Sequence, residues 1–567
     1  MKYKLMNENI KNKDILDIVY ENRGIDREFV EKLLNADKSE YKNPMDIFGM
    51  EKAINFFKKI IEKENLVIGL LVDEDVDGFT SSSLLYKWLI DDVKISKENI
   101  RVFFHDKPKS HGLSNKIFDV MLNSDVELFI IADSSTNDVE QQQIFLDNNR
   151  QVIILDHHIC DKELVEGIYL VNNQIENSES KELSGVGIVI KFIEALGYDI
   201  EKYLDLVAVG LVADVMNLAS LENRAIVNYG LSHLENDLIK EFFKNTKNPT
   251  IEDISWNLAN FMNSVIRYGK ADEKRLLWNA LIGEEGFVEY KKRDGSIVKQ
   301  NYSEAFVRIS GNVKSRQNNA IKKSVKELEQ YIYKNRLEND KCIIIENYDL
   351  CEHSITGIVA QKLLGTFKRP IIIVSPYKNE MSGSVRSLVD FKEILEESGL
   401  ITFASGHNRA FGVGLPKENI PKLREYLNKK LLCTVETKIE EVDYIFDVKK
   451  LKLDDIIKIA NLSSLWGNPI KEPTFIVKGI TMESKDIKHQ RSDKGYCTSF
   501  KYNKLTFKKN FSSQKVYEEM QVKDKLKFGK THAIDLTLLV KFKQDKNGFY
   551  YISIEDFNSC KSSKVVF

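Results

Sequence analysis

The sequence has little cysteine and no long apolar run, and each shortage excludes a class of protein. Its six cysteines lie far apart without a C-x-x-C pair, which argues against a disulfide framework and a cysteine zinc site. No apolar run reaches the about 20 residues that a transmembrane helix needs. The polar start, MKYKLMNENIKNKD, lacks the apolar core of a signal peptide. The sequence therefore predicts a cytoplasmic protein that does not span a membrane.

The chain also has little net charge. Its 83 basic and 85 acidic residues leave a formal net charge of −2, so any nucleic-acid binding must come from local patches. Hydrophobic residues at 43% and charged residues at 30% are typical of a folded globular protein. A length of 567 residues exceeds what one hydrophobic core uses, so three or more domains are expected.

Apolar runs separated by helix-like segments begin near residue 64. They cover residues 66–72, 102–104, 126–132, 151–155 and 168–171. Runs of this kind are typical of strands that are buried on both faces of a parallel sheet. We therefore predict an α/β domain with a helical extension at residues 56–300, after a small helical lead-in at residues 1–55.

The rest of the chain divides into a connector and two smaller domains. Residues 301–336 are charged and lack proline, which predicts a long connecting helix. A second, smaller α/β domain is predicted at residues 337–430. Residues 440–567 contain alternating segments such as TFIVKGITM and AIDLTLLVKF, which favour a small antiparallel β-barrel.

The first apolar run ends in a dense acidic segment, Asp73-Glu74-Asp75-Val76-Asp77-Gly78. Ionised carboxylates in a partly dehydrated cleft repel each other, so protonation, basic partners or a cation must compensate them. A divalent metal is the simplest compensation, and a solvated acidic loop is the alternative. Gly78 permits a tight turn, and Thr80–Ser83 could begin a helix whose amides bind phosphate.

Two further strands end in polar residues, and a third carboxylate interrupts an apolar segment. These residues are Asp133, the triplet Asp156-His157-His158, and Asp214 in LVAVGLVADVM. Each alone has an ordinary alternative: a helix cap, a structural histidine or a buried salt bridge. Together they form a carboxylate-rich set with imidazole, which suits Mn²⁺ or Mg²⁺ better than structural zinc. Two such ions, about 3.5–4 Å apart, could serve phosphodiester hydrolysis.

The ordered set D-x-D-x-D-G, a strand-final Asp, DHH and VADV resembles the DHH phosphoesterase superfamily. Within it, the segments that resemble the RecJ single-strand exonucleases are Ser184–Gly187, Leu204–Ala208, Val212–Val215, Glu222–Arg224, Asn263 with Arg267, Gly357–Ala360, Ser384–Ser387 and Gly406–Gly412. The resemblance covers about residues 65–415. The chain departs from the family pattern at Ser134-Ser135, where Asn-Gly is usual, and at Ile266, where glycine is usual.

The resemblance implies an α/β fold with a parallel-sheet DHH catalytic domain, the connecting helix, a DHHA1-type domain and a C-terminal oligonucleotide-binding (OB) barrel. It implies metal ligation by Asp75, Asp77, Asp133, His157 and Asp214, with Asp73 also at the site. His158 would contact the scissile phosphate or orient the ligands. The residues expected to hold the DNA backbone or its terminal phosphate are Arg267, Arg386, Ser387, Gly406 and His407.

The C-terminal domain adds a basic and aromatic segment of its own. Lys501, Tyr502, Lys504, Phe507 and Lys508 combine cations with aromatic rings on a strand-like period, as expected where bases stack and phosphates are neutralised. An exposed edge strand that lysines protect from aggregation is the alternative. The resemblance to the OB domain of these exonucleases favours DNA.

The leading hypothesis is a 5′-to-3′ exonuclease that degrades single-stranded DNA to mononucleotides in repair or recombination, with two Mn²⁺ or Mg²⁺ ions as cofactors. Direction and product are implied by the resemblance alone. Its candidate protein partners are a single-strand-binding protein or a helicase. The alternatives are a DHH phosphodiesterase acting on short oligoribonucleotides or cyclic dinucleotides, and an inactive DNA-binding scaffold of the same fold. A scaffold should have lost acidic ligands, whereas every expected position is filled here.

Overall fold

The computed structural model describes residues 2–8, 13–106, 110–176, 178–292, 294–431, 439–492, 495–522, 533–545 and 547–562. Among these residues, no helix combines the length and the apolar character that crossing a bilayer requires.

A five-stranded parallel sheet forms the centre of the first domain. The elements up to the end of this sheet are β1 (Lys2–Leu5), α1 (Ile15–Glu21), α2 (Arg27–Leu34), α3 (Met50–Ile60), β2 (Ile68–Val72), α4 (Val76–Asp91), β3 (Ile100–Phe104), α5 (Asn115–Leu122), β4 (Leu128–Ala132), α6 (Val139–Asp147), β5 (Gln151–Asp156) and β6 (Tyr169–Asn172). The strand order is β3-β2-β4-β5-β6, and every neighbouring pair is parallel. Strands β2 and β4 are buried along their whole length, so the predicted parallel α/β sheet is confirmed.

Helices follow the sheet and pack on one of its faces. They are α7 (Gly185–Ala195), α8 (Leu204–Ala213), α9 (Leu221–Ser232), α10 (Asp237–Phe243), the short α11 (Ile251–Asp253) with a π-helical turn at Ile254–Leu258, α12 (Ala259–Tyr268) and α13 (Ala271–Leu281). A hairpin of β7 (Phe287–Lys291) and β8 (Ile297–Asn301) interrupts the segment predicted as helical. Asp294-Gly295 explains it, because this dipeptide favours a hairpin turn and Gly295 has a φ of 88°.

A 33-residue helix, α14 (Tyr302–Lys334), leads to the second α/β domain, as the predicted fold class requires. Its N-terminus carries a capping box of Asn301 and Glu304. The elements of the second domain are β9 (Ile343–Glu346), α15 (Thr356–Phe367), β10 (Ile371–Tyr377), β11 (Glu380–Arg386), α16 (Lys392–Glu396), β12 (Phe403–His407), β13 (Ala410–Leu415) and α17 (Ile420–Lys430). Its mixed sheet has the order β12-β13-β11-β10-β9.

The C-terminal domain contains a seven-stranded sheet. Its elements are β14 (Ile439–Val442), β15 (Tyr444–Asp447), α18 (Leu453–Ala460), β16 (Phe475–Glu483), β17 (Lys488–Ser492), β18 (Gly495–Tyr502), β19 (Leu505–Lys509), α19 (Gln514–Met520), β20 (Ala533–Gln544) and β21 (Tyr550–Lys561). The strand order β15-β16-β20-β21-β19-β18-β17 is compatible with an OB-like domain, but the pairs among the described residues do not close a barrel.

The N-terminal lead-in packs largely on the C-terminal domain, although it precedes the first domain in the chain. Strand β1 pairs in parallel with β14, and apolar residues of α1 and α2 join the core of the seven-stranded sheet. Arg23 pairs with the buried Asp443, while Asn228 of α9 donates to the carbonyl of Leu33 at 3.0 Å. The lead-in therefore connects the C-terminal domain to the first domain.

Candidate metal centre

The predicted acidic residues meet at the carboxyl edge of the parallel sheet. Asp73 follows β2, Asp133 follows β4 and Asp156 ends β5, and these three strands are neighbours in the sheet. Asp214 reaches the same place from the C-terminal end of α8. Reactive groups collect at this edge in open parallel sheets because loops from adjacent strands converge there.

Three overlapping groups of side chains have ligand atoms within 4.8 Å of one another. The groups are Asp77 with His157 and Asp214, Asp133 with His157 and His158, and Asp73 with Asp75 and Asp133. Asp133 and His157 each belong to two groups, so the groups adjoin one another. This arrangement offers room for more than one cation in a single cleft.

His157 presents a neutral imidazole to the carboxylates. Its Nε2 lies 3.2 Å from Oδ1 of Asp133 and 3.6 Å from Oδ2 of Asp214. Burial, together with the charge of His158, lowers the pKa of His157 to about 4. A neutral ring keeps a nitrogen lone pair available, which is the form that binds a metal.

The converging carboxylates lack basic partners. Burial raises the pKa of Asp133 well above its ordinary value, that of Asp214 to about 8 and that of Asp77 to about 6, and repulsion between the carboxylates adds to each shift. In the described part of the chain, no lysine or arginine forms an ion pair with Asp75 or with these three residues. Oxygen donors with one imidazole and uncompensated negative charge fit Mn²⁺ or Mg²⁺.

The start of α7 holds Asp77 in place. The Ser184 hydroxyl and the Val186 amide donate to Oδ1 at 3.0 and 3.2 Å, and the Gly185 amide donates to Oδ2 at 2.7 Å. Glycine is needed at two contacts, because a Cβ on Gly185 would lie 2.5 Å from Cβ of Asp133 and one on Gly210 would lie 2.5 Å from Oδ1 of Asp77. These close approaches bring α7 and α8 onto the carboxylates.

Asp156 has a different environment from the other carboxylates. Its Oδ1 accepts from the His157 amide at 2.8 Å and lies 2.7 Å from Nδ1 of His158, and its Oδ2 accepts from the Thr136 amide and hydroxyl at 3.1 and 2.6 Å. These hydrogen bonds outweigh the effect of burial and hold the pKa of Asp156 below its ordinary value. Asp156 thus orients His158, whose side chain is 44% exposed at the cleft.

Two acidic residues of the first loop are compensated by the protein itself. Glu74 pairs with Lys274 of α13 at 2.5 Å. Oδ2 of Asp73 lies 2.8 Å from Nδ1 of His111, and its Oδ1 accepts from the Gly112 amide at 3.0 Å. The solvated-loop alternative is therefore wrong, because Asp73, Glu74 and Asp77 are all buried.

The sequence-based reading missed His111. Its ring centroid lies 4.9 Å from that of His158, so it borders the same cleft. No local signal marked it, because His111 lies several positions beyond the end of β3 at Phe104, whereas Asp133 directly follows β4. The prediction that Thr80–Ser83 begin a phosphate-binding helix is wrong, since α4 begins at Val76 after the N-cap Asp75 and all four residues are buried within the helix.

Both departures from the family pattern have a defined local structure. Ser135 has a φ of 77°, in the left-handed region that favours glycine, which costs a serine about 1–2 kcal/mol. Ile266 is fully buried in α12, where it adds to the core. Neither residue displaces a candidate ligand.

A basic edge lies in the second domain. Arg386 at the end of β11 and His407 on β12 are both in register with Ala410 of the strand between them, so they share one face of the sheet. Burial and the nearby charge of Arg267 lower the pKa of Arg386. A Cβ on Gly357 would lie 2.6 Å from Nη2 of Arg386, so the start of α15 packs on the guanidinium.

The remaining predicted phosphate-binding residues lie along the same edge. Ser387 is buried and its amide donates to the carbonyl of Arg409 at 2.9 Å, whereas Gly406 is exposed with a φ of 122°. Ser384, two residues before Arg386, was missed. Its hydroxyl lies 3.0 Å from that of Thr356 at the start of α15.

The basic and aromatic segment of the C-terminal domain is divided between core and surface. Lys501 and Lys504 are exposed, Tyr502 is half-buried, and Lys508 places its Nζ 4.6 Å from the centre of the Tyr551 ring. The prediction that Phe507 stacks on bases is wrong. Strand alternation turns its ring into the core, where it is 0% exposed and stacks on Phe500 at 4.8 Å.

Comparison with protein families identifies the first domain. Residues 67–211 match the model of the DHH family, N-terminal domain. This part of the chain is a DHH-family domain. The matched range contains Asp73, Asp75, Asp77, Asp133 and the DHH triplet itself, and it ends just before Asp214.

Similar proteins extend the likeness beyond the DHH domain. YorK, a candidate single-strand DNA-specific exonuclease of Bacillus subtilis derived from the SPbeta prophage, is 29% identical over 92% of each chain. Single-stranded-DNA-specific exonuclease RecJ of Bacillus subtilis is 26% identical over 81% of this chain and 58% of its own length. The chain is thus homologous to RecJ-type exonucleases.

A solved structure shares the fold. The crystal structure of RecJ from Thermus thermophilus in complex with Mn²⁺ has a TM-score of 0.68 at 19% identity, covering 97% of this chain and 76% of its own. A second structure of that protein is in complex with Mg²⁺. The predicted fold class is confirmed by this likeness.

Mn²⁺ binding should tighten as the pH rises from about 6 to about 8 and should release protons. The raised pKa values of Asp214, about 8, and Asp77, about 6, mean that a cation must displace protons at the lower pH. Calorimetric titration of the metal-free protein in buffers of different ionisation enthalpy counts those protons. An affinity that does not change with pH would contradict this assignment.

Two Asp→Asn substitutions should change the stability of the metal-free protein in opposite directions. The lowered pKa of Asp156 stabilises the fold above the unfolded-state pKa and is lost in acid, so Asp156→Asn should lower the free energy of unfolding by about 2–4 kcal/mol. The raised pKa of Asp214 destabilises the fold as the pH rises, so Asp214→Asn should raise it near pH 8. Urea unfolding followed by circular dichroism measures both, and shifts of the same sign would refute the distinction.

Proposed function

We propose that this chain is a divalent-metal-dependent exonuclease that degrades single-stranded DNA from its 5′ end to mononucleotides. The observation that carries the proposal is the set of buried carboxylates around a neutral His157 at the edge of a DHH-family sheet. The homologous single-strand DNA exonucleases support the substrate class. The RecJ structures with Mn²⁺ and Mg²⁺ support the choice of metal.

We assign ligand roles to Asp75, Asp77, Asp133, His157 and Asp214, with two ions as the expected number. When bound, divalent ions supply Lewis acidity to the phosphodiester and favour ionisation of water. The chain sets the geometry: the α7 amides fix Asp77, and Asp75 caps α4 by accepting from the Gly78 amide at 3.0 Å. Asp73 stands beside the ligands and positions His111.

His158 is the candidate contact to the scissile phosphate. Asp156 accepts the Nδ1 proton of His158, which fixes the ring and leaves Nε2 to donate to a phosphate oxygen when the ring is protonated. The same contact raises the pKa of His158 and favours the protonated form. The imidazole can thus stabilise negative charge that develops on the phosphate.

The basic edge of the second domain is the candidate site for the 5′-terminal phosphate. Arg386 and Arg267 supply positive charge, His407 and the Ser384 hydroxyl lie along the same edge, and Gly406 and Gly357 permit close approach. Guanidinium groups suit this role because their planar donors match phosphate oxygens. A terminal phosphate held there would set the polarity of digestion.

The exposed Lys501 and Lys504 and the partly buried Lys508 of the C-terminal domain are proposed to hold the strand behind the cleft, with Tyr502 beside them. An elongated track of this kind suits a polymer better than a short oligoribonucleotide or a cyclic dinucleotide. A role in DNA repair and recombination, a single-strand-binding protein or helicase as partner, the domain boundaries and a cytoplasmic location stay predictions.

Degradation should require metal and a free 5′ end. We expect the purified chain with Mn²⁺ or Mg²⁺ to release mononucleotides from single strands blocked at the 3′ end, but not from strands blocked at the 5′ end. His157→Ala should reduce the rate at least about 100-fold, because it removes a donor shared by two ligand groups. Gel electrophoresis of the strands and chromatography of the products show which strands are degraded and whether mononucleotides are released. If no metal-dependent degradation is observed, the proposal is wrong and the inactive DNA-binding scaffold is favoured. Cleavage confined to short oligoribonucleotides would favour the phosphodiesterase alternative.

Arg386→Gln should affect substrates that carry a 5′ phosphate. Losing a charge-assisted hydrogen bond of about 1.5–3 kcal/mol should lower kcat/KM about 10- to 100-fold on 5′-phosphorylated strands and much less on 5′-hydroxyl strands. Arg316→Gln, which removes an arginine of α14 that pairs with Glu273 of α13, is the matched control and should preserve the preference. Equal losses on both substrates would remove Arg386 from the terminal-phosphate site.

A further inference from the structure

The residue that follows Asp214 has an unfavourable backbone conformation. Val215 has a φ of 59°, in the left-handed region, and its side chain is 63% exposed. A β-branched residue rarely adopts this conformation, and it persists only where surrounding contacts enforce it. Its exposed side chain cannot supply that enforcement by packing in a core. The force that holds Val215 must therefore act on its backbone.

Part of this hold comes from α8 itself, since the Val215 amide donates to the carbonyl of Val212 at 3.2 Å and the Met216 amide to that of Leu211 at 3.0 Å, and the C-terminal domain adds further backbone contacts. Nδ2 of Asn468 donates to the carbonyl of Val215 at 2.6 Å and lies 3.4 Å from that of Met216. The amide of Leu218 donates in return to the carbonyl of Asn468 at 2.7 Å. Asn468 thus contacts the loop of residues 215–220, here called the Asp214 loop, at two places, although it lies about 250 positions away in the chain.

A buried arginine connects the same two segments of the chain. Arg224 of α9 is fully buried and donates to the carbonyl of Leu218 at 2.9 Å, to that of Ser464 at 2.8 Å and to that of Leu465 at 3.2 Å. Its three acceptors lie on the Asp214 loop and on the segment just before Asn468. The two segments are therefore held together from inside the protein as well as by Asn468.

We infer that Asn468 is a positioning residue for the metal centre, acting through the backbone of Val215 to set the direction of the Asp214 carboxylate. This inference rests on the proposed ligand role of Asp214. The C-terminal domain would then take part in building the catalytic geometry in addition to holding DNA. Without the Asn468 amide, only the hydrogen bonds to Val212 and Leu211 oppose relaxation of Val215 toward an extended or right-handed conformation, which would turn Asp214 away from His157.

An ordinary domain contact would predict something different. In that case Asn468 would contribute to docking alone, and any interdomain contact of similar strength would matter equally. Lys543 offers the comparison, because its Nζ pairs with Glu252 of the first domain at 2.6 Å without touching the Asp214 loop. The two interpretations differ in whether metal affinity depends on the loop contact or on domain docking.

The test is Mn²⁺ affinity of the full-length chain, measured by electron paramagnetic resonance titration, alongside kcat and KM on single-stranded DNA. Asn468→Ala should weaken Mn²⁺ binding about tenfold and lower kcat at subsaturating metal, with KM for DNA changed by less than about twofold. Lys543→Met should leave Mn²⁺ affinity unchanged. Val215→Gly, which removes the steric cost of the left-handed conformation, should restore most of the lost affinity when combined with Asn468→Ala.

Wild-type Mn²⁺ affinity in Asn468→Ala would overturn the inference, and so would an equal loss in Lys543→Met. If circular dichroism shows that Asn468→Ala does not fold, Asn468→Asp takes its place, since it keeps the shape and turns an acceptor toward the Val215 carbonyl. Its added negative charge would by itself attract Mn²⁺, so a loss of affinity reports geometry. A wild-type chain that binds Mn²⁺ but leaves DNA intact would refute the proposed nuclease, while the comparison of Mn²⁺ affinities would still decide the role of Asn468.

Discussion

Mutual repulsion between buried carboxylates is the constraint on which the rest of the site depends. Adjacent parallel strands deliver Asp73, Asp133 and Asp156 to one edge, and α4 adds Asp77 there. The fold must therefore neutralise part of this charge and leave part of it for a ligand. Helix starts, histidines and glycines around the edge either neutralise a carboxylate or hold one in place for a ligand.

The division between the two kinds of carboxylate follows from the partners that each one meets. Asp156 faces five donor groups of the turns beside it, so it stays ionised and acts as scaffold. Asp133 follows the neighbouring strand but meets Asp77 and a neutral His157, so burial disfavours its charged form. Asp133 and Asp156 thus lie at equivalent strand ends but differ in their favoured protonation state, because different loops surround them.

The parts that the sequence predicts well depend on local pattern. Apolar runs that end in Asp133 or in Asp156-His157-His158 place polar groups at strand ends, so both the sheet and its edge follow from spacing. Phe507 and His111 show the limits. An alternating strand does not say which face is buried, and a lone histidine carries no sign of the carboxylate it will meet. The pairing of β1 with β14 joins residues about 437 positions apart, for which no local pattern exists.

Such long-range contacts also explain why the domains are coupled in this chain. The lead-in packs on the C-terminal sheet and reaches α9 through Leu33, while Arg224 of the same helix reaches the segment before Asn468. Helix α9 therefore touches two of the routes by which the C-terminal domain is attached. Since the Asp214 loop lies between α8 and α9, a displacement of that domain would be transmitted to a candidate ligand before it reached the strands of the sheet. The position of Asp214 at the end of a helix, outside the sheet, makes it the candidate ligand most open to this influence.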